Sequence, residues 1–437
     1  MNKKIKIQII SRVFPIENNI GRDAYILDLI SYLRKVECEV EYVSVNPLPI
    51  DRYPWCVIPS TLRKPIKVRI PNNLQIGHIL LRFNKLSDWI IGPLRLFFHK
   101  LPQPLKNIYR LAAKKIQKKS KKQLINTKNI NVRDWQDVLA KPEEIAFAKA
   151  QIDRFNPDVV VVNYLYLANI LDTLSADKNI LKVILTHDVF HQRNAQFQKI
   201  GVVIHDGNWS LEAETAQLEK AQVLLAIQKE DAELFKQMVP HTQVINTPIS
   251  AIPYSHTIKQ IPGRCLFVGS SSQHNFYGLQ WFLENVWLEI IQKVPNCSLH
   301  VCGSVCDVIQ ETFPNVRFLG RVNDLKPEYG AAEVCLVPLL AGSGLKIKLV
   351  EAMSYGRACV STSVGIQGLP EIAGKTAIVA DSVDDFAAAI HTLLTDSDKR
   401  QWMEQQAYEF VTENLSAKSS YQPFVDYIYQ YFQPEVI

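Results

Sequence analysis

Four consecutive valines, Val159 to Val162, follow Pro157-Asp158 with no polar residue at either alternate position. A strand that is apolar on both faces must be covered on both faces, which is the situation of an interior strand in a parallel α/β sheet. The surrounding chain keeps the rhythm that such a sheet needs. Strand patterns at Ile5–Ile10, Cys38–Val45, Val183–Leu185, Val223–Ile227 and Gln243–Ile245 alternate with helix patterns. The first helix pattern gathers Tyr25, Ile26, Leu27, Leu29, Ile30 and Leu33 on one face.

A stretch from Thr247 to Gly263 breaks the series, with Pro248, Pro253 and Pro262 and little periodicity, and reads as a linker. A second series follows, with strand patterns at Cys265–Val268, Leu299–Cys302, Val316–Leu319, Val334–Val337, Ala358–Ser361 and Ala377–Val379. Helix patterns lie between them, notably Tyr277–Ile291 and Leu345–Tyr355. The 437 residues therefore divide into two doubly wound domains. The first spans 1–248 with an irregular insert at about 50–145, and the second spans 262–416. A closing helix, 417–437, is expected to pack back on the first domain.

With 47% hydrophobic and 21% charged residues, the chain is globular rather than disordered. No run of about 18 apolar residues occurs, and the lysine-led start is too short and too interrupted for a signal peptide. The eight cysteines are scattered, several within apolar runs, and read as buried free thiols. Cys302 and Cys306 are one residue too far apart for a CxxC pair, and no zinc spacing follows. The expected setting is the reducing cytoplasm.

The net charge of +6 is unevenly placed. Between Arg82 and Lys122 stand twelve basic residues and one acid, Asp88, a local +11 that leaves the remainder at −5. The same segment holds Trp89-Ile90-Ile91 and Leu94 to Phe98, then apolar residues at helical spacing: Leu105, Ile108, Tyr109, Ala112 and Ile116. A basic amphipathic helix with aromatic neighbours suits an anionic membrane surface. The plain alternative is a solvated helix packed on its own domain. No base-reading signature supports nucleic acid as a partner.

The densest chemical signal runs from Pro338 to Leu369. A strand leads into Gly342-Ser343-Gly344, and a helix pattern opens at Leu345. Glycines let backbone approach a ligand, and the free N–H groups of a helix start attract phosphate. Lys346 in the first turn can add a charge-assisted contact to a diphosphate. Glu351, about two turns on, can accept hydrogen bonds from a ribose diol. Gly356 fits a C-cap, and Gly365-Ile366-Gln367-Gly368 closes the unit.

This stretch resembles the donor-binding core of glycosyltransferase family 4, whose architecture is GT-B. Cys265-Leu266-Phe267-Val268-Gly269-Ser270, with Asn275 and Trp281-Phe282 beyond it, is similar to the family's first donor-domain strand and loop. Val316 to Val322 resembles its base-binding strand and turn, and Ala226 to Asp231 the start of the acceptor domain's last helix. Thr186-His187-Asp188-Val189-Phe190 resembles the acceptor-domain loop that faces the cleft. The likeness covers the second domain almost entirely and the first in pieces.

The resemblance implies an α/β protein of GT-B architecture, two Rossmann-like doubly wound domains facing each other across a cleft. It implies retaining transfer of a sugar from a nucleotide-sugar donor to a glycan or lipid-linked acceptor, in cell-surface polysaccharide or glycolipid synthesis. No cofactor and no metal are expected, and the location is cytoplasmic, peripheral on the inner face of the membrane if the insert docks.

By the same resemblance, Gly21 sits near the donor phosphates, and Gly269 and Ser270 form the first donor loop. His187 lies by the reacting sugar, and Gly344 with Leu345 holds sugar and phosphate. Lys346 neutralises the leaving diphosphate, Glu351 holds the ribose, and Arg321 with Val322 flanks the base. Two departures stand out. Ser343 occupies the position of the first of two family glutamates. The family's arginine–lysine pair is replaced by Ser270 to Asn275, which moves phosphate charge to Lys346, with His274 or Arg321. These departures motivate the alternative of a non-catalytic member that binds nucleotide or glycan within a biosynthetic complex. A nicotinamide dehydrogenase is disfavoured, because neither domain opens on GxGxxG. Taken alone, His187 is an ordinary strand-end residue, and Asp188 reads equally as the N-cap of the next helix.

Overall fold

The computed structural model describes residues 4–15, 22–46, 55–63, 66–82, 138–175, 178–202, 209–254, 258–342 and 344–432. Two expected site residues, Gly21 and Ser343, lie outside the described residues, as does the basic segment beyond Arg82.

Sixteen strands are described. In the first half they are β1 Lys6–Ser11, β2 Glu39–Ser44, β3 Trp55–Val57, β4 Lys67–Arg69, β5 Asn73–Ile76, β6 Ile79–Arg82, β7 Val159–Asn163, β8 Leu181–Thr186, β9 Val223–Ala226 and β10 Gln243–Asn246. In the second half they are β11 Arg264–Val268, β12 Ser298–Cys302, β13 Val316–Gly320, β14 Val334–Val337, β15 Ala358–Ser361 and β16 Ala377–Val379.

A seven-stranded parallel sheet runs β10-β9-β8-β7-β1-β2-β4, and a six-stranded parallel sheet runs β13-β12-β11-β14-β15-β16. The valine run is β7, in register with β1 on one side and β8 on the other, and all five of its residues are buried. Strand order reverses between β1 and β7 and again between β11 and β14. Each reversal opens a crevice at the carboxyl ends of the strands, where ligands of such sheets bind.

Strands β3, β6 and β5 form a separate antiparallel sheet, so residues 55–82 are more regular than their proline-dotted sequence suggests. The expected helix Tyr277–Ile291 is Gln273–Trp281 and Trp287–Lys293 joined through a π turn at Phe282–Val286. Helix Ala417–Phe432 packs on helix Arg22–Lys35. Tyr421 donates to Asp28 Oδ2 at 2.8 Å, and its ring meets Tyr25 edge-on. The eight thiols are free, six of them buried and Cys56 and Cys306 partly so.

Candidate active site

The two sheets meet at their carboxyl ends. From the first come Ser11, Asn163 and Thr186, the last residues of β1, β7 and β8, followed at once by His187. His187 is buried, and its Nε2 lies 2.8 Å from Asn163 Oδ1. Asn163 donates through Nδ2 to Ser11 Oγ at 3.0 Å, which leaves Oδ1 as the atom facing the imidazole. With the amide in this orientation, Nε2 of His187 is the donor to Asn163.

The ring is gripped from two sides. Tyr164 stacks on it at 4.2 Å between centroids, and Tyr25 meets it edge-on at 5.5 Å. Tyr164 adopts φ +81°, which a side-chain-bearing residue holds at a cost of about 1–3 kcal/mol. The strain falls on the residue that sets the ring over His187. Sequence reading missed Asn163 and Tyr164, because the contact joins the end of β7 to the residue after β8, 24 residues on.

Asp188 does not cap the next helix. That helix is Phe190–Lys199, and its first N–H groups are taken by the fully buried Glu214, which accepts from Phe190 and His191 backbone N at 2.9 Å each. Glu214 also receives His191 Nδ1 at 2.7 Å, so His191 turns away from the crevice. Asp188 instead pairs with Arg193 Nη1 at 3.5 Å, while Arg193 lies over the Phe190 ring.

From the second sheet comes the loop after β14. Gly342 and Gly344 take φ +134° and +76°. The loop stays extended longer than the spacing suggests, and the helix begins at Ile347, with Lys346 at its N-cap position instead of in the first turn. Glu351 is consequently one turn into the helix. Lys346 folds its side chain back, donating to Gly344 O at 2.6 Å and lying 3.4 Å from both Gly342 O and Gln367 Oε1. Leu345 beside it is buried.

This loop touches the first domain directly. Gly342 N donates to Gln196 Oε1 at 3.0 Å, and a Cβ added to Gly344 would sit 2.2 Å from His187 O. His187, Gly344, Leu345 and Lys346 are thus brought together.

Burial pulls the Lys346 ammonium down to about 8, against the upward pull of Asp188 and Asp231. Asp231, buried beside Gln228, is pushed up to about 7 by its own burial. A second lysine, Lys348, donates to Asn275 Oδ1 and sits 4.4 Å over the Phe267 ring. Burial and the neighbouring Lys346 hold it down to about 7. His274, on which phosphate charge was expected to fall, is instead held well below its ordinary value by burial and by Lys348, Lys346 and Arg193. It is a neutral ring beside Ser272 Oγ at 3.0 Å. Lys348 stands beside Lys346 as a second buried lysine, and the Lys-x-Lys spacing at the helix start was its sequence signal.

Glu351 accepts from Tyr329 OH at 3.0 Å through Oε2. Tyr329 stacks on Tyr355 and Tyr355 on Tyr254, a three-ring column that fixes the carboxylate from below. Burial raises Glu351 to about 7. Gly269 is buried and bonds Cys302 O, and Ser270 is exposed and receives Asn275 Nδ2 at 3.1 Å. Arg321 is exposed and Val322 half-buried, on the turn that follows β13.

Two Rossmann-like parallel domains meeting at their strand ends, with a lysine-bearing glycine loop against a histidine, define the GT-B class of fold. Residues 262–396 match the family described as Glycosyl transferases group 1. Over 165 residues, 35% of this chain, the sequence is 26% identical to an "Uncharacterized 44.6 kDa protein in cps region" of Klebsiella pneumoniae. The match spans only 42% of that curated relative's length.

Among solved structures, sucrose-phosphate synthase from Thermosynechococcus elongatus superposes with a TM-score of 0.66 at 16% identity, covering 99% of this chain and 100% of that one. A mutant TarM of S. aureus, in complex with fondaparinux, α-GlcNAc-glycerol and UDP, superposes at 0.65 with 10% identity, covering 97% and 99%. At these identities the likeness is one of fold.

Proposed function

We propose that this protein is a glycosyltransferase of the family 4 type, moving a sugar with retention from a nucleotide-sugar donor to a glycan or lipid-linked acceptor. The observation that carries the reading is the Gly342–Lys346 loop. It sets a helix start and two lysines at the end of a central strand, against His187 of the facing domain.

The diphosphate would lie over the helix start, where N–H groups and the Lys346 and Lys348 ammoniums oppose its charge. As the bond from anomeric carbon to phosphate oxygen breaks, negative charge grows on the leaving oxygen. Lysines already held in a poorly solvated site stabilise it without reorganising. The departing phosphate oxygen takes the acceptor proton on the same face, which gives retention without a protein general base. His187, held by Asn163, lies by the reacting sugar and orients its ring. Glu351 receives the ribose hydroxyls through Oε1, which has no protein partner among the described residues, and Arg321 with Val322 flanks the base.

In this reading the lysines carry the phosphate charge and no metal is required. The acceptor belongs to cell-surface polysaccharide or glycolipid synthesis, and the basic insert holds the enzyme on an anionic membrane face. The test is turnover of UDP-, GDP-, ADP- and dTDP-sugars by the purified chain, with and without polyprenyl-phosphate-linked acceptors. Turnover lost in Glu351→Ala and Lys346→Ala supports the reading. Unchanged turnover in both variants refutes it.

A further inference from the structure

The linker between the two sheets is tied to both halves of the site. At its start Thr247, fully buried, meets Tyr25, whose OH donates to Thr247 O at 2.7 Å and lies 2.9 Å from its Oγ1. Tyr25 is the ring that meets His187 edge-on. Farther along, Ser250 Oγ donates to Asp28 Oδ2, and Ala251 N donates to Leu415 O at 2.8 Å.

Tyr254 then turns to the second domain. Its backbone N donates to Ser354 O at 2.8 Å. Ser354 is the last residue of the helix Ile347–Ser354 that carries Glu351, so the linker satisfies one of the carbonyls that a helix end leaves without an internal partner. The Tyr254 ring lies over Tyr355, 4.3 Å between centroids and 5° from parallel, and Tyr355 lies over Tyr329 at 4.8 Å and 7°. Tyr329 is buried, and its OH donates to Glu351 Oε2 at 3.0 Å.

A phenol that donates to a carboxylate holds it only as firmly as the ring itself is held. Tyr355 has Tyr329 on one side and Tyr254 on the other, so the stack from the linker closes the column. Tyr254 is 40% exposed, so its ring fills no core space, and what it does is done through the stack.

We propose that Tyr254 is a positioning residue for the donor ribose. Acting through Tyr355 and Tyr329, it sets the Glu351 carboxylate where it accepts from the ribose hydroxyls, and so makes the site prefer a ribonucleotide to its 2′-deoxy form. The proposal rests on the ribose role of Glu351 given above and adds what fixes that carboxylate. A carboxylate pinned by the column loses a charge-assisted hydrogen bond when the 2′-hydroxyl is absent and does not swing to a new partner. A loosened one treats the two sugars more evenly.

The experiment is isothermal titration of the full chain with UDP and dUDP, GDP and dGDP, ADP and dADP, and CDP and dCDP. Wild type is compared with Tyr254→Ala, Tyr254→Phe, Glu351→Ala and the double variant Tyr254→Ala/Glu351→Ala. Wild type is expected to bind one ribonucleotide about tenfold more tightly than its 2′-deoxy form. Glu351→Ala should bind the two alike. Tyr254→Ala should lose about threefold of the preference, by weakening the ribonucleotide and leaving the deoxy form unchanged. Tyr254→Phe keeps the ring and should keep the preference. The double variant should match Glu351→Ala, because Tyr254 acts through that carboxylate.

A preference that Glu351→Ala abolishes and Tyr254→Ala leaves whole overturns the positioning role alone. So does a Tyr254→Ala that weakens both forms equally, the mark of a merely structural residue, or a Tyr254→Phe that behaves as Tyr254→Ala does. No ribose preference in wild type, or one that survives Glu351→Ala, overturns the ribose role of Glu351 and this proposal with it. Wild type that binds none of the nucleotides overturns the donor site as a whole, and the proposal falls with it.

Discussion

Gly344 and His187 touch backbone to backbone across the crevice: a Cβ at Gly344 would fall 2.2 Å from the His187 carbonyl oxygen and 3.0 Å from Asp188 Oδ1. The glycine also holds φ +76°, which other residues resist. Gly344→Ala must therefore push the two domains apart or unwind the loop. The expected result is a loss of about 100-fold in kcat/KM, because an ångström of misplacement is enough at a reacting centre. The thermal transition should stay cooperative, since one core of first-domain residues and one of second-domain residues are untouched.

Proton uptake should accompany nucleotide binding. Lys346 is held down to about 8 and Lys348 to about 7, chiefly by burial. A diphosphate favours their charged forms and so raises both values. Affinity for a nucleoside diphosphate should then rise as pH falls from above 8 toward 7. Below about 7, Glu351 also becomes protonated and loses an acceptor, so the gain should level off. Calorimetry at pH between the two lysine values, in HEPES and in Tris, should show a buffer-dependent enthalpy of the sign for uptake. Lys348→Met should reduce it.

Lys348 should also be a residue kept for activity at the expense of stability. Its folded value lies below its ordinary one, so the unfolded chain binds more protons than the folded chain. Stability then rises with pH above about 7, and the penalty is fully present below that. Lys348→Met removes it. The melting temperature at pH 6.5 should rise by about 2 °C, with a smaller gain at pH 9, while turnover falls. A melting temperature lowered at pH 6.5 would show that the Asn275 and Phe267 contacts outweigh the desolvation.

Asn163 positions His187 without reaching the crevice itself. Asn163→Ala should lower kcat about tenfold and leave the donor KM nearly unchanged, the pattern of a contact felt in the transition state. Nitrogen NMR of the wild type should place the imidazole proton on Nε2. In the variant both tautomers should be populated.

Much of this was legible in the residues. The valine run required a parallel sheet buried on both faces, and β7 is that strand. The glycine loop, Lys346 and Glu351 lie within one short stretch, so local spacing exposed them. What was not legible depends on contacts between distant segments. Asn163 reaches His187 only because β7 and β8 are neighbours in register. Glu214 caps a helix more than 20 residues before it, and no capping signature links the two. The helix after β14 starts two residues late, because two glycines at positive φ keep the loop open. The sheet β3-β6-β5 was hidden for another reason: its strands are three or four residues long, too short for a period of two to stand out.

The most direct test of the donor site is a thermal-shift titration with UDP, GDP, ADP, CMP and dTDP, run on wild type and on Lys346→Ala. A nucleotide at 100 times its dissociation constant adds about 2.7 kcal/mol, which is plainly visible as a higher melting temperature. One nucleotide should raise the wild-type transition, and Lys346→Ala should abolish the rise. No shift with any nucleotide, or a shift that Lys346→Ala leaves intact, would contradict a donor diphosphate held by the Gly342–Lys346 loop.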